Sequence, residues 1–231
     1  MRFHVQTGGS TLTAQQPDVN VVRTTIQALA ATLGGAQSLH TNALDEALGL
    51  PTPSSARLAL RTQQVLYYES GVAATVDPLA GSYYVEELTR ELADRALAEL
   101  EHIDQLGGTL TALADGYQPD AIGDAAYELQ REIEAGTRVV VGVNAFAEDG
   151  DEQRPAPQVI DSVLEAAQIA RTRAVHARRD PGAASAALGA LEAAATGTEN
   201  VVPRIRAAVE ADVTLGEISH ALRRVWGEHH P

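Results

Sequence analysis

Two short alternating segments, residues 2–7 and 36–42, bracket a single helical stretch, and this arrangement constrains the chain more than anything that follows it. In "RFHVQT", Phe3 and Val5 alternate with His4 and Gln6, the period of a strand with two unlike faces. Gly8 and Gly9 end that strand, and the polar residues 10–20 make a loop. In "NVVRTTIQALAATLGG", Val22, Ile26, Leu29 and Leu33 recur at helical spacing, with Asn20 expected as the cap and Gly34 and Gly35 as the stop. "AQSLHTN" is too short for a helix and reads as a second strand ending at residues 40–42. Strand, loop, helix and strand make a βαβ unit, whose two strands run parallel. A loop, "LDEALGLPTPSS", with a short helical turn follows, and "ARLALRTQQVLYYESG" reads as the next helix. Residues 1–75 are therefore expected to hold two successive βα units.

The pattern then changes. "TVDPLAGSYY" is irregular, and a long amphipathic helix is expected over residues 85–106, with Leu88, Leu92, Leu100 and Ile103 on one stripe. Helices follow at 109–115 and 119–135, and "TRVVVGVN" predicts an isolated strand near 138–143. Residues 144–157 read as an acidic linker or surface loop. Helices are expected at 158–178, 181–196, 199–210 and 214–226, the last opening on a capping-box pattern, Thr214 and Glu217. Residues 76–231 are thus a mainly α-helical extension with one strand. A closed (β/α)8 barrel needs eight strands and about 250 residues. Parallel strands are normally covered on both faces, and two of them cannot close a barrel, so something else must cover these.

Composition narrows the class of partner. The net charge is −14, and all 17 basic residues are Arg. Such a chain repels phosphate backbones and anionic bilayers, so neither nucleic acid nor membrane is an expected partner; solvated helix faces account for the charge. The absence of Cys rules out disulfides, thiolate nucleophiles and Cys-based zinc sites. No run of about 18 apolar residues and no signal-peptide pattern occurs, which makes a cytoplasmic location the expectation.

Chemistry-bearing residues collect where each strand gives way to its loop: His4, Gln6, Gly8 and Gly9 after the first, and Gln37, His40, Asn42, Asp45 and Glu46 around the second. In parallel α/β folds this edge is where ligands bind. Paired glycines let a flat ligand approach the backbone, amides read donors and acceptors together, and a carboxylate such as Glu46 can take both hydroxyls of a ribose. Each has a plainer reading as well. "GG" is a turn, His4 a satisfied core histidine, His40 a loop cap, and Asp45 the cap of the short turn at 44–48, which is the better reading of Asp45. Glu228, His229 and His230 could hold a metal weakly, but a frayed tail is the simpler account. No HExxH, GxSxG, Walker A or usable GxGxxG is present. The residues by themselves describe a ligand-facing edge with no catalytic constellation and no metal site.

"HVQTGGSTLTAQ", "GGAQSLHTNALDEALGLPT", "DPLAGSYYVEELT" and "GVN" together resemble the adenosylcobalamin-dependent acyl-CoA mutases, the methylmalonyl-CoA mutase group, from Arg2 to about Glu228. The resemblance implies a partial (β/α)8 barrel: Arg2–Thr7 as strand 7, Gln37–Thr41 as strand 8, and the helical extension behind them. It implies a radical rearrangement of the carbon skeleton of a short-chain acyl-CoA of the methylmalonyl or isobutyryl type. Carried over residue by residue, Gly9 matches a glycine under the corrin, Gln6 and Asn42 amides near the adenosyl group, and Glu46 the carboxylate on its ribose. Gly49 matches a small residue beside the cofactor, and His4 and Gln37 match positions facing the CoA chain.

The chain departs from the family pattern in places. Ser10 stands where the family usually has Trp, and "QPDVN" keeps only Asn20 of an Asp and paired Asn. The family's acid/base His, gating Tyr and carboxylate-binding Arg belong to earlier strands, and the cobalamin domain's DxHxxG does not occur. The resemblance therefore implies two partners, an N-terminal half of the mutase barrel and a small cobalamin-binding subunit, with adenosylcobalamin bound only in the completed complex. The alternative is a non-catalytic binding or assembly module, or a truncated remnant.

Overall fold

The computed structural model describes residues 2–148, 156 and 158–228. It is a mainly helical α/β structure with one two-stranded parallel sheet. Two compact units divide at residue 158, unit 1 being 1–158 and unit 2 being 159–231.

Unit 1 begins with β1 (His4–Gln6), α1 (Val19–Leu33), β2 (Ser38–His40) and α2 (Pro53–Tyr68). The strands pair in parallel with His4 opposite Ser38, Val5 opposite Leu39 and Gln6 opposite His40. Alternation puts His4, Gln6, Ser38 and His40 on one exposed face, while Val5 and Leu39 are half-buried. Leu39 shares a cavity of about 320 Å³ with Leu60 and Leu66 of α2. Outward positions Val22 and Ile26 of α1 and Leu58 and Val65 of α2 stay exposed, which leaves the βαβ unit with apolar flanks uncovered.

Two local expectations change. Helix α1 starts at Val19 with Asp18 in the cap position, and Asn20 lies fully buried inside the first turn, so it is not the cap. Helix α2 starts three residues earlier than its apolar pattern suggests. Pro53 occupies its first turn, and the Thr52 hydroxyl accepts the Ser55 N–H at 3.1 Å.

Helices α3 (Tyr83–Gln105), α4 (Thr109–Ala114) and α5 (Tyr117–Glu134) follow. The strand expected near 138–143 is not formed. The segment is a tight knot with a single bridge between Val141 and Ala145. One side chain ties it together: the Asn144 carboxamide accepts the Val140 N–H at 2.7 Å and donates to the Ile133 and Arg138 carbonyls at 2.8 and 2.7 Å. Gly142 turns the chain at φ 79°, where a Cβ would also meet the Gln16 carboxamide. The expected loop at 144–157 lies mostly outside the described residues, as do His229 and His230.

Unit 2 contains α6 (Ser162–Arg178), α7 (Pro181–Ala195), α8 (Val202–Glu210) and α9 (Leu215–Trp226). Leu191, Ile218, Val213 and three alanines, Ala184, Ala208 and Ala221, fill its interior. The capping box at the start of α9 forms as its sequence predicts. Glu217 also receives both Arg179 guanidinium nitrogens, at 2.7 and 2.6 Å. That guanidinium, helped by the Thr214 N–H and hydroxyl, holds the Glu217 carboxyl far below the usual carboxylate range, with desolvation opposing. A pKa depressed in the folded state contributes stability that is present above the unfolded value, about 4.3, and is withdrawn as pH falls below it. The stability difference between the natural chain and Glu217→Gln is therefore expected to be flat from about pH 5 to 7 and to shrink below about pH 4. Urea titrations across pH measure it; a difference that grows on acidification would contradict the assignment.

Candidate functional site

The ends of β1 and β2 converge because the parallel register continues past the strands. The Thr7 N–H donates to the His40 carbonyl at 3.0 Å, and the Asn42 N–H donates to the Thr7 hydroxyl at 2.9 Å. Thr7 and Thr41 occupy the inward parity of Val5 and Leu39, so their hydroxyls need partners. Thr41 donates to the Ala59 carbonyl at 2.8 Å and accepts from Gln63 at 3.0 Å, which fixes the end of β2 against α2. These threonines are positioning residues that motif reading passes over; strand parity was the available signal.

Four of the sequence-derived site residues gather here. The Gln6 carboxamide donates to Asn42 Oδ1 at 3.2 Å. Gly9 faces both Asn42 and Glu46: a Cβ on it would lie 2.8 Å from Asn42 Nδ2 and 3.4 Å from Glu46 Oε1. The close approach of the Asn42 amide thus favours glycine at position 9: any Cβ there must push the amide from its place. Asn42 is 3% exposed, and its Nδ2 is buried with no hydrogen-bond partner. Glu46 is exposed, and no hydrogen bond or ion pair engages its carboxylate among the described residues. A cavity of about 220 Å³ opens beside it, lined by His40, Thr41, Ala43 and Pro51.

The other candidates lie apart. His4 is exposed one pleat down the same face, its Nδ1 2.7 Å from the Ser38 hydroxyl. Gln37 sits at the opposite end of β2 from Asn42, roughly 16 Å away at strand rise. Its carboxamide accepts the Phe3 N–H at 2.8 Å and donates to the Gly35 carbonyl at 2.6 Å. Gly49 is in the turn beyond Glu46, its N–H on the Asp45 carbonyl at 3.1 Å.

The Asp45 side chain does not cap the turn at 44–48; it buttresses Thr52, the cap of α2. Asp45 is 1% exposed, and its Oδ2 accepts the Ser55 hydroxyl at 2.6 Å and the Thr52 N–H at 3.1 Å. The Asp45 carbonyl receives the Leu48 and Gly49 N–H groups, so one residue shapes the whole 45–52 turn. Asn20 reaches the same loop from α1, donating to the Leu44 carbonyl at 2.9 Å. Among the described residues no group of His, Asp and Glu is placed to hold a metal ion, and no helix is long and apolar enough to cross a membrane.

The site consists of a buried amide donor with no partner, a second amide aligned by it, an open carboxylate, and a glycine that keeps them together. Such a set can hold a neutral polar ligand with hydroxyl and ring-nitrogen groups.

A family model described as methylmalonyl-CoA mutase matches residues 1–228. The chain is 44% identical over 230 residues to the 2-hydroxyisobutanoyl-CoA mutase large subunit of Aquincola tertiaricarbonis, covering 99% of this chain and 41% of that protein. It is 47% identical over 222 residues to methylmalonyl-CoA mutase of Escherichia coli, covering 96% of this chain and 31% of that one. It is 45% identical to the methylmalonyl-CoA mutase large subunit of Streptomyces virginiae, covering 99% and 32%. The chain therefore spans less than half the length of these relatives. With the order of its motifs and the arrangement of its strand ends, this similarity over nearly every residue means that the chain belongs to the methylmalonyl-CoA mutase family.

Proposed function

We propose that this chain supplies the last two βα units of the barrel of an adenosylcobalamin-dependent acyl-CoA mutase and lines the adenosyl side of its active site. The barrel is completed by an N-terminal half carrying the remaining strands, and the corrin is delivered by a small cobalamin-binding subunit. The observation that carries this reading is the cluster of Gln6, Gly9, Asn42 and Glu46 at the carboxyl ends of two parallel strands whose flanks are uncovered.

The residues present fit the cofactor. The unpartnered Asn42 Nδ2 is a donor in want of an acceptor, and the Glu46 carboxylate is free to take a pair of ribose hydroxyls. Gly9 and Gly49 leave the edge low enough for a flat macrocycle. Adenosylcobalamin, when bound, supplies the homolytic chemistry that starts the rearrangement. This chain's own residues bind and orient: Gln6 fixes Asn42, Asn42 and Glu46 hold the nucleoside, and His4, further down the same face, meets the CoA chain, while Gln37, engaged by the Phe3 N–H and the Gly35 carbonyl, sets the far end of β2. Their spread along the strands suits a ligand threaded along a barrel axis. None of these residues is assigned proton transfer; acid–base chemistry is left to the other strands.

The test is reconstitution. Co-expression with the N-terminal strands of a large-subunit relative and a cobalamin-binding subunit should give a complex that binds corrin, read by its visible absorbance, and rearranges a short-chain acyl-CoA. In that complex Glu46→Gln is expected to weaken adenosylcobalamin by about 2 kcal/mol, roughly thirtyfold, with the acyl-CoA KM changed far less. A complex that assembles but takes up no corrin would overturn the proposal.

A further inference from the structure

We propose that the knot at residues 137–146 is a brace that sets the two ligand-facing loops of unit 1, and that Arg23 and Asn20 are the positioning residues that transmit it. The proposal deepens the mutase reading, since those loops carry Asn42 and Glu46, but it rests on geometry that stands without it.

Three contacts define the brace. Arg23 Nη2 donates to the Val141 carbonyl at 2.6 Å, while its Nη1 donates to the Thr13 hydroxyl at 2.9 Å and to Asn20 Oδ1 at 2.8 Å. In a chain with 31 acidic residues this guanidinium is spent on neutral acceptors, and its planar fork spans from the knot to the β1–α1 loop. Gln16 Nε2 donates to the Phe146 carbonyl at 2.9 Å, and Gly142 is a glycine against the Gln16 carboxamide. Gln16 and Phe146 both hold positive φ, 44° and 56°, a conformation that persists in such residues only where surroundings over-determine it.

Asn20 passes the constraint on. Its Oδ1 accepts the Thr13 N–H at 3.1 Å, and its Nδ2 donates to the Thr13 carbonyl at 2.8 Å and to the Leu44 carbonyl at 2.9 Å. Leu44 lies between Asn42 and Glu46. From Val141 through Arg23 and Asn20 to Leu44 the line is hydrogen-bonded at each step, and Asn144, which stitches the knot, holds it by the N–H of Val140, the residue before Val141. Ser38 to His40 and His4 to Gln6, by contrast, are held by the sheet itself.

Amide hydrogen exchange on the 231-residue chain tests this with Asn144→Ala and Arg23→Met. Loss of one strut should speed exchange at residues 12–16 and 43–49 by roughly tenfold, with α7, α8 and α9 unchanged. In the reconstituted enzyme the same variants should raise the apparent cofactor KM more than the acyl-CoA KM. Should Asn144→Ala loosen all of unit 1, Arg23→Met decides, because it leaves the knot's internal bonds intact. Faster exchange confined to the loops in Arg23→Met supports the brace; loops unchanged in that variant overturn it. A reconstituted complex that takes no corrin defeats the mutase reading instead, and the exchange result still judges the brace.

Discussion

Asn20→Ala is expected to destabilise unit 1 by about 3 kcal/mol, more than any other single polar substitution there. The residue is 0% exposed, and its carboxamide is fully used. Truncation leaves the Thr13 N–H, the Thr13 carbonyl and the Leu44 carbonyl without partners in a partly buried space. Each buried orphan costs about 1–3 kcal/mol, and relaxation recovers part of the sum. Asn20→Asp separates donor from acceptor: it can still accept from Thr13 and Arg23 but faces two carbonyls with no hydrogen to give. It should be about as damaging as alanine. Urea unfolding followed by far-ultraviolet circular dichroism gives both values; a loss under about 1 kcal/mol for Asn20→Ala would show that the loops are held by something else.

Leu191→Ala is the counterpart in unit 2. Leu191 is 0% exposed and is the largest of the fully buried side chains, and its neighbours in the core include Ala184, Ala208 and Ala221. Alanines have no side-chain freedom with which to fill a void, so the cavity stays open and the cost falls in the middle of the usual range, about 3 kcal/mol. For a unit of this size that lowers the melting temperature by roughly 10–20 °C. Trp226, the single tryptophan, reports it, because its Nε1 donates to the Ala195 carbonyl at the end of α7. Leu191→Met, which keeps the volume, should cost less than about 1.5 kcal/mol. Equal melting of the two variants would mean that the core is looser than its packing implies.

Much of this architecture was legible because it is local. The βαβ unit follows from two alternating segments around one helical period, and the capping box at Thr214 and Glu217 follows from residue types three apart. The knot at 137–146 was not legible for a physical reason. "TRVVVGVN" carries the β-branched residues of a strand, yet a strand needs a partner's backbone, and here the Asn144 side chain takes that place. Asn20 looked like a cap because Asn before an apolar period usually is one; its real partners, Thr13 and Leu44, come from two different loops. The site shows the same division. Family motifs named Gln6, Gly9, Asn42 and Glu46, and the fold brings those four together. Thr7 and Thr41, which hold the strand ends in place, could be read only from strand parity, and Gln16 and Arg23, which hold the loops, become visible only when the chain is folded.

The close packing of Gly9 on the Asn42 amide has an evolutionary corollary. Positions 9 and 42 are expected to be an epistatic pair: a side chain at the first must displace the amide at the second or be met by a shorter residue there. Natural variation at this edge should therefore move in coupled steps, and a homologue with alanine or serine in place of the glycine should hold the asparagine amide in another orientation or have replaced it.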